Sequence, residues 1–362
     1  METKFIEGRL PSSDGSKSIR VEFNERIVSI TDIETASELP ILSLGLIDTH
    51  MHGLDGFSVS AKADDLVSIT EAAARYGVTR TIVSLVSSPL DEMIAVLQAA
   101  SGVPQSSGLI GVHLEGPYLS ESRCGAHAIG ELRPAADSEL EKVLQFDSLS
   151  SITIAPEQVT LEQTVGLAKR VLVAIGHTDA DYELSLKYFG AGARILTHAL
   201  NAMPRFESRS PGPLGAAIKA DAYVEIIADG NHLHPATVVG LFAMTNKAIL
   251  VTDSIAAAGL GDIELELGGV GVKVQSGVAR RTDNQALAGS TLTLNQAVKN
   301  CVSWGLAEDV ALAAASTRPA NAYGLKNHQI KVGGTADLVL WDEFEPLEVY
   351  RDGRLIHGST VN

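Results

Sequence analysis

Of the ten histidines in 362 residues, four end a short apolar run, and three more lie close to such an end. "GLIDTHMHG" (45–53) sets His50 and His52 two apart. On a strand, residues i and i+2 share a face, so both imidazoles aim into one space, with Asp48 on the same face. "LIGVHLEG" (109–116) repeats the spacing with His113 and Glu115. His177 closes "VLVAIGH" (171–177), His198 lies in "ARILTHAL" (193–200) and Asp253 in "AILVTDS" (248–254). Glu157 ends "SITIAPE" (151–157), Asp229 falls in "VEIIADG" (224–230), and His232 follows it. Imidazoles and carboxylates gathered in this way suit Zn, Fe, Mn or Co and leave a position for water. An ion so held lowers the pKa of a water towards ~7 and polarises a carbonyl, which is hydrolytic chemistry. A carboxylate not fully engaged by metal can then carry the proton, and Asp253, at the end of the last run, is the candidate. Two ions would need a bridging ligand, for which Glu115 is the best-placed anion.

Several of these residues have blander readings. His113 lies inside its run, where a core position or one behind a ligand is expected. Glu157 and Asp229 read equally well as hydrogen-bonding struts. His328 and His357 are expected at the surface, and His234, before Pro235, at a helix start. The two cysteines, Cys124 and Cys301, form no CxxC motif. Cys124 is expected to be inert, and a reducing, cytoplasmic setting fits.

The groups above need a scaffold, and eight apolar runs of seven or eight residues supply one: "LGLIDTH" (44–50), "RTIVSLV" (80–86) and the six already quoted. Near-continuous apolar runs are how strands of a buried parallel sheet read. Amphipathic stretches separate them, among them "DDLVSITEAAARYG" (64–77), "LDEMIAVLQAA" (90–100) and "DADYELSLKYFG" (179–190), the last with Thr178 as its expected N-cap. Eight βα units predict an α/β chain folded as a (β/α)8 TIM barrel. A doubly wound sheet is the competing arrangement, since strand order is invisible in a sequence. In a barrel, the run ends collect on one face, where chemistry takes place. The first ~45 residues ("SIRVEF", "RIVSITDI") and the tail ("IKVGGTADLVLWD", 330–342; "EVYRDGRLIHG", 348–358) return to β character. They predict a small β-sandwich domain made of both chain ends, 1–44 and 330–362, around a barrel domain, 45–329.

A net charge of −16 makes nucleic acid and anionic membranes poor partners. "METKFIEGRL" lacks the apolar segment of a signal peptide. No uncharged apolar run reaches the ~18 residues a membrane helix needs. An anionic substrate would require a local cationic pocket.

"GLIDTHMHG", "GVHLEGPYLS", "GAH", "IGHT", "THALNAMP", "IADGNHLHP", "VTDS" and "LAGST" occur in this order. On these motifs, from about residue 44 to 340, the chain resembles the N-acetylglucosamine-6-phosphate deacetylases of the amidohydrolase superfamily. HLEGP, NAMP and DG-x-H carry the family likeness, while the HxH pair and the last aspartate mark the superfamily. The resemblance implies a metal-dependent barrel with a flanking β-sandwich, usually homodimeric. It also implies hydrolysis of the acetamide of N-acetylglucosamine 6-phosphate in amino-sugar catabolism and cell-wall sugar recycling. By the same resemblance, Glu115, His177 and His198 match the metal ligands the family shares. His50 and His52 match the pair that holds a second metal in some members, giving one or two divalent ions per chain. Asp253 matches the acid/base that also borders the metal. His127 of "GAH" matches a residue that helps polarise the acetyl carbonyl. Ala126, Asn201, Ala202, Arg209 and His232 match substrate contacts, and Leu287, Ala288 and Gly289 match a loop closing on the sugar. In such a dimer the resemblance leaves open whether Arg209 serves its own pocket or the neighbouring subunit's.

"ESRCGAHAIGELRP" departs from the more usual K-K-G-A-H-N/D-P pattern: Cys124 precedes the glycine, and Ala128 and Ile129 replace the polar-Pro pair. Two other functions compete. One keeps the mechanism on N-acetylgalactosamine 6-phosphate or another N-acyl sugar phosphate. The other is a metal-binding sugar-phosphate sensor without turnover, against which the retained Asp253 argues.

Overall fold

The structure is a computed structural model that describes residues 3–12, 17–34 and 39–358. Residues 1–2 and 359–362, at the outer edges of the expected β-domain, lie outside the described residues, as do 13–16 and 35–38.

Eight parallel strands follow one another in chain order: β1 (Leu46–Met51), β2 (Val78–Leu85), β3 (Leu109–Glu115), β4 (Leu149–Ile154), β5 (Leu172–Ile175), β6 (Ile195–Leu196), β7 (Tyr223–Ile227) and β8 (Ala248–Val251). Each pairs with the next in parallel. The ring closes between β8 and β1. There the Asp253 N–H donates to the His50 carbonyl and the His52 N–H to the Ser254 carbonyl, both at 2.8 Å. The Thr252 hydroxyl donates to Asp48 at 2.6 Å, so Asp48 ties the seam. This is the expected (β/α)8 barrel, not the doubly wound alternative. All six residues of β1 are buried, which is why its run reads as continuously apolar around the polar ligands. Helices cover the outside through one apolar stripe each; Ala63–Ala74 buries Leu66, Ile69 and Ala73, three and four apart.

Local details differ from the sequence reading. The sixth run keeps only two strand residues before the chain turns at Thr197. The helix after β5 is Tyr182–Gly190, and its cap is Asp181, whose carboxylate accepts the Leu184 N–H at 2.8 Å. Thr178 is engaged elsewhere, its hydroxyl donating to Glu157 at 2.5 Å.

Both chain ends build one seven-stranded sheet, in the order Arg354–Gly358, Glu345–Arg351, Leu338–Asp342, Ile41–Leu44, Lys4–Arg9, Ser18–Phe23, Ile27–Asp32. Phe23 and Tyr350 stand on strands four places apart in that order, yet their rings meet at 5.0 Å. The sheet therefore curls over a core of its own that includes Ile19, Val21, Leu42 and Leu338. His328, expected at the surface, is buried at the junction with the barrel, its Nε2 2.9 Å from the Gly45 carbonyl oxygen.

A three-stranded antiparallel sheet, Glu264–Leu267, Val270–Gln275 and Val278–Arg281, is inserted after β8. The sequence reading missed it. Its signal was available: alternating "ELEL" and "VGVKVQ" with turns at Gly268-Gly269 and Ser276-Gly277. Leu267, Val272, Val274, Ala279 and Ala288 form its apolar core with Val86 and Ile255 of the barrel.

Candidate active site

The ends of β1, β3, β5, β6 and β8 bring six ligand-bearing side chains into two buried triads. Glu115, His177 and His198 form one; His50, His52 and Asp253 form the other. Glu115 lies between them. Its Oε1 is 3.2 Å from His177 Nε2, 3.0 Å from His198 Nε2 and 3.4 Å from His50 Nε2. Its Oε2 is 3.3 Å from His52 Nε2. Asp253 Oδ1 stands 3.1 Å from His52 Nε2 and 3.6 Å from His50 Nε2.

Three of these residues turn off their strands in the left-handed region, with φ of 46° at His177, 25° at His198 and 51° at Asp253. Each such residue costs about 1–3 kcal/mol, a strain the surrounding barrel must impose. Gly125, with φ of 54°, runs so close to the site that a Cβ there would stand 3.0 Å from the His177 ring.

The arrangement fits divalent ions. His52 Nδ1 is 2.8 Å from the Ser84 carbonyl oxygen and His177 Nδ1 is 2.7 Å from that of Arg123. A carbonyl only accepts, so each Nδ1 carries a proton and each Nε2 lone pair faces the site, open to a metal ion or to a second proton. Those lone pairs face carboxylate oxygens, and His177 Nε2 also faces His198 Nε2 at 3.0 Å. The contacts are repulsive until positive charge lies among them. His50 Nε2 and His198 Nδ1 are buried without a hydrogen-bond partner among the described residues. Burial works to lower the pKa of His52, but the carboxylates of Asp253 and Glu115 win and push it up to about 9. Burial works to raise Glu115, and the imidazoles of His50 and His127 hold it well below the carboxylate range instead. The site favours cations strongly.

The triads form the floor of a cleft of about 330 Å³, at the small end for ligand pockets and suited to one sugar ring. His50 lies fully buried beneath it. Ala126, His127, Asn201 and Ala202 line it, as do His232, Leu287 and Gly289. Ala288 instead packs into the core of the insert. Arg209 is exposed on the loop after β6 and does not line the cleft of its own chain.

His127 Nδ1 accepts the Ser87 N–H at 3.1 Å. Burial holds this ring down to about 4, so it is neutral and its one proton sits on Nε2. His232 Nδ1 meets Asp229 Oδ2 at 2.8 Å, and Asp229 Oδ1 accepts the N–H groups of Asn231 and His232. Burial opposes a charge on His232, yet Asp229 raises its pKa. The other named residues are struts or core. His113 is buried between Ser84 and Thr153 hydroxyls, at 2.9 and 2.8 Å. Glu157 accepts from Thr178 and from the Asp179 N–H. The His234 side chain accepts the Ala236 N–H at its helix start.

Sequence reasoning missed Glu225 of β7. Its Oε2 lies 3.2 Å from His50 Nδ1 and accepts the His198 N–H at 3.4 Å, so one buried carboxylate touches both triads. A lone acid inside "YVEII" was the available signal. Such a partner orients a ligand imidazole and raises its basicity. Glu225→Gln is expected to weaken divalent-ion binding about 10–100-fold. Calorimetric titration of the ion-stripped protein with Zn or Mn checks this, and unchanged affinity would leave Glu225 a core strut.

The Amidohydrolase family model matches residues 41–356. The chain is 34% identical over 334 residues to the N-acetylglucosamine-6-phosphate deacetylase of Vibrio furnissii, spanning 88% of this chain and 83% of that protein. It is 33% identical over 322 residues to the N-acetylgalactosamine-6-phosphate deacetylase of Escherichia coli O157:H7, spanning 85% of each. Among solved structures it resembles an aspartate-to-alanine mutant of the N-acetyl-D-glucosamine-6-phosphate deacetylase of Mycobacterium smegmatis in complex with N-acetyl-D-glucosamine-6-phosphate. The TM-score is 0.92 at 29% identity, over 98% of this chain and 100% of that one.

Proposed function

Because the chain belongs to the amidohydrolase family, we propose that it hydrolyses the acetamide of N-acetyl-D-glucosamine 6-phosphate to D-glucosamine 6-phosphate and acetate. The observation that carries this reading is the pair of triads meeting at Glu115 under a sugar-sized cleft. Glu115, His177 and His198 would hold one divalent ion, and His50, His52 and Asp253 a second, with Glu115 shared. Zn, Fe, Mn and Co all suit this donor set. Ions held there supply Lewis acidity that activates water and the acyl oxygen.

The chain's own groups do the rest. Asp253 takes a proton from the attacking water and delivers it to the departing nitrogen, since an unprotonated amine is a very poor leaving group. His127 offers its Nε2–H to the acetyl oxygen, where negative charge develops. Asn201, Ala202 and Ala126 meet the sugar, His232 helps to hold the phosphate, and the 287–289 segment covers the ring. A sugar phosphate does not cross a bilayer unaided, so a cytoplasmic place in amino-sugar catabolism and cell-wall sugar recycling belongs to the same proposal. Among the described residues, no helix is long and apolar enough to cross a membrane.

A homodimer is also proposed. The loop carrying Arg209 adjoins an apolar face on which Phe206 and Met244 are exposed. A second copy seated there would bury both.

The test is turnover of the two phosphorylated N-acetylhexosamines by purified, metal-analysed protein. Relatives of nearly equal identity carry the gluco and galacto names, so the ratio of kcat/KM decides the epimer. No turnover of either would overturn the function. The ion count has its own test: His50→Asn/His52→Asn is expected to keep one of two ions by elemental analysis. A single ion in fully loaded wild type, unchanged in the double variant, would contradict the two-ion site.

A further inference from the structure

The insert after β8 forms one wall of the cleft and carries a buried arginine with an unusual division of partners. Arg281 is 7% exposed. Its Nε and Nη2 meet Asp283 Oδ1 and Oδ2 at 2.9 and 2.7 Å, fork on fork. Its Nη1 turns the other way and donates to the carbonyls of Gly125 at 2.8 Å and His127 at 3.3 Å. One guanidinium thus joins the insert to the loop that carries His127. The backbone of Arg281 also anchors the turn that returns to the cleft: its N–H donates to the Ala286 carbonyl at 2.8 Å, and Ala286 and Leu287 line the cleft.

We propose that Arg281 is a positioning residue, clamping the Gly125–His127 segment so that the His127 Nε2–H keeps its place on the cleft floor, 3.2 Å from Glu115 Oε2. The inference rests on the role given to His127 above. Three observations converge on it. His127 is held at its ring by the Ser87 N–H and by Glu115 Oε2, and at its carbonyl by Arg281, so loss of the Arg281 contact frees the backbone that carries the ring. The 125–127 turn includes a glycine with φ of 54°, a conformation that relaxes readily once its carbonyl partner is removed. A planar fork with separate donors can serve Asp283 and two carbonyls at once, which an ammonium cannot reproduce. Lysine at 281 is therefore expected to fail almost as badly as alanine.

Arg281→Ala and Arg281→Lys, checked for folding by circular dichroism, would be compared with wild type in three ways. Amide hydrogen exchange over residues 122–131 is expected to rise. The kcat for N-acetylglucosamine 6-phosphate should fall about 10–100-fold, the scale of a small misplacement near the chemistry, with KM changed much less. In a His127→Gln background the same substitution should cost little more, because it acts through His127. Guanidinium at tens of millimolar should restore part of the kcat of Arg281→Ala only. Unchanged exchange over 122–131, or an undiminished further loss in the His127→Gln background, would overturn the proposal. Should Arg281→Ala not fold, Asp283→Asn on the exposed turn loosens the same guanidinium; it should raise the exchange too, and failure to do so counts against the clamp. If wild type turns over neither sugar phosphate, the functional reading falls, while the exchange measurement still decides the clamp.

Discussion

Asp253→Asn is expected to lower kcat by roughly 10⁴-fold or more, above the ~10²–10⁴ of a lone general acid-base group, because ion binding suffers as well. The geometry gives the reason. Asp253 sits at the mouth of β8 in a left-handed conformation, its own carbonyl accepting the Ser290 N–H at 2.7 Å. Burial works to raise its pKa, but the His52 and His50 imidazoles win and lower it to about 2. It is therefore an anion at neutral pH. Asparagine keeps the shape and loses both the basicity and the negative charge. The check is steady-state kinetics on protein of measured metal content. A variant within tenfold of wild type would show that the proton travels by another residue.

Asp253 was legible in the sequence because position alone singles it out: an acid at the end of the last apolar run points into the mouth of a closed barrel. His50 and His52 were legible for a related reason, since a spacing of two fixes a common face on any strand. Glu225 was harder. Its partner His50 lies 175 positions away, and only barrel closure brings β7 opposite β1. Arg281 had no local signature, because its role depends on an insert docking against a loop 154 positions earlier in the chain. Ala288, placed by the resemblance in a loop closing on the sugar, has its side chain in the core of the insert, which the sequence reading did not foresee. His328 was misread because tail residues near turns are usually solvated, and the junction between the curled sheet and the barrel is a feature of tertiary packing alone. Thr178 lost the cap to Asp181 because the helix starts only at Tyr182, and the Thr178 oxygen accepts the Ala180 N–H at 2.9 Å instead.

Arg209→Ala is expected to raise KM for the phosphorylated substrate about 100-fold or more, with KM for unphosphorylated N-acetylglucosamine changed less than about threefold. A chain of net charge −16 repels a phosphate dianion, so local groups must reverse the field. Within one chain the cleft is short of such groups. Arg123 is the arginine among the described lining residues, and its Nε is already 2.6 Å from Asp179 Oδ1. His232 is already paired with Asp229, its Nδ1 2.8 Å from Oδ2. Arg209 has the planar fork that phosphate oxygens favour, yet stands exposed outside its own cleft, beside the apolar face proposed for a second copy. In the proposed dimer each copy would supply Arg209 to the other, making the dimer part of the site. Mixing Arg209→Ala with Asp253→Asn subunits then tests the direction of that contact. Random reassortment makes half the dimers hybrid, each with one intact site, so activity should recover to about a quarter of wild type. Equal losses on the two substrates would reject a phosphate contact. No recovery in verified mixed dimers would reject the exchange between copies and return Arg209 to its own chain's cleft, which its loop would have to close to reach.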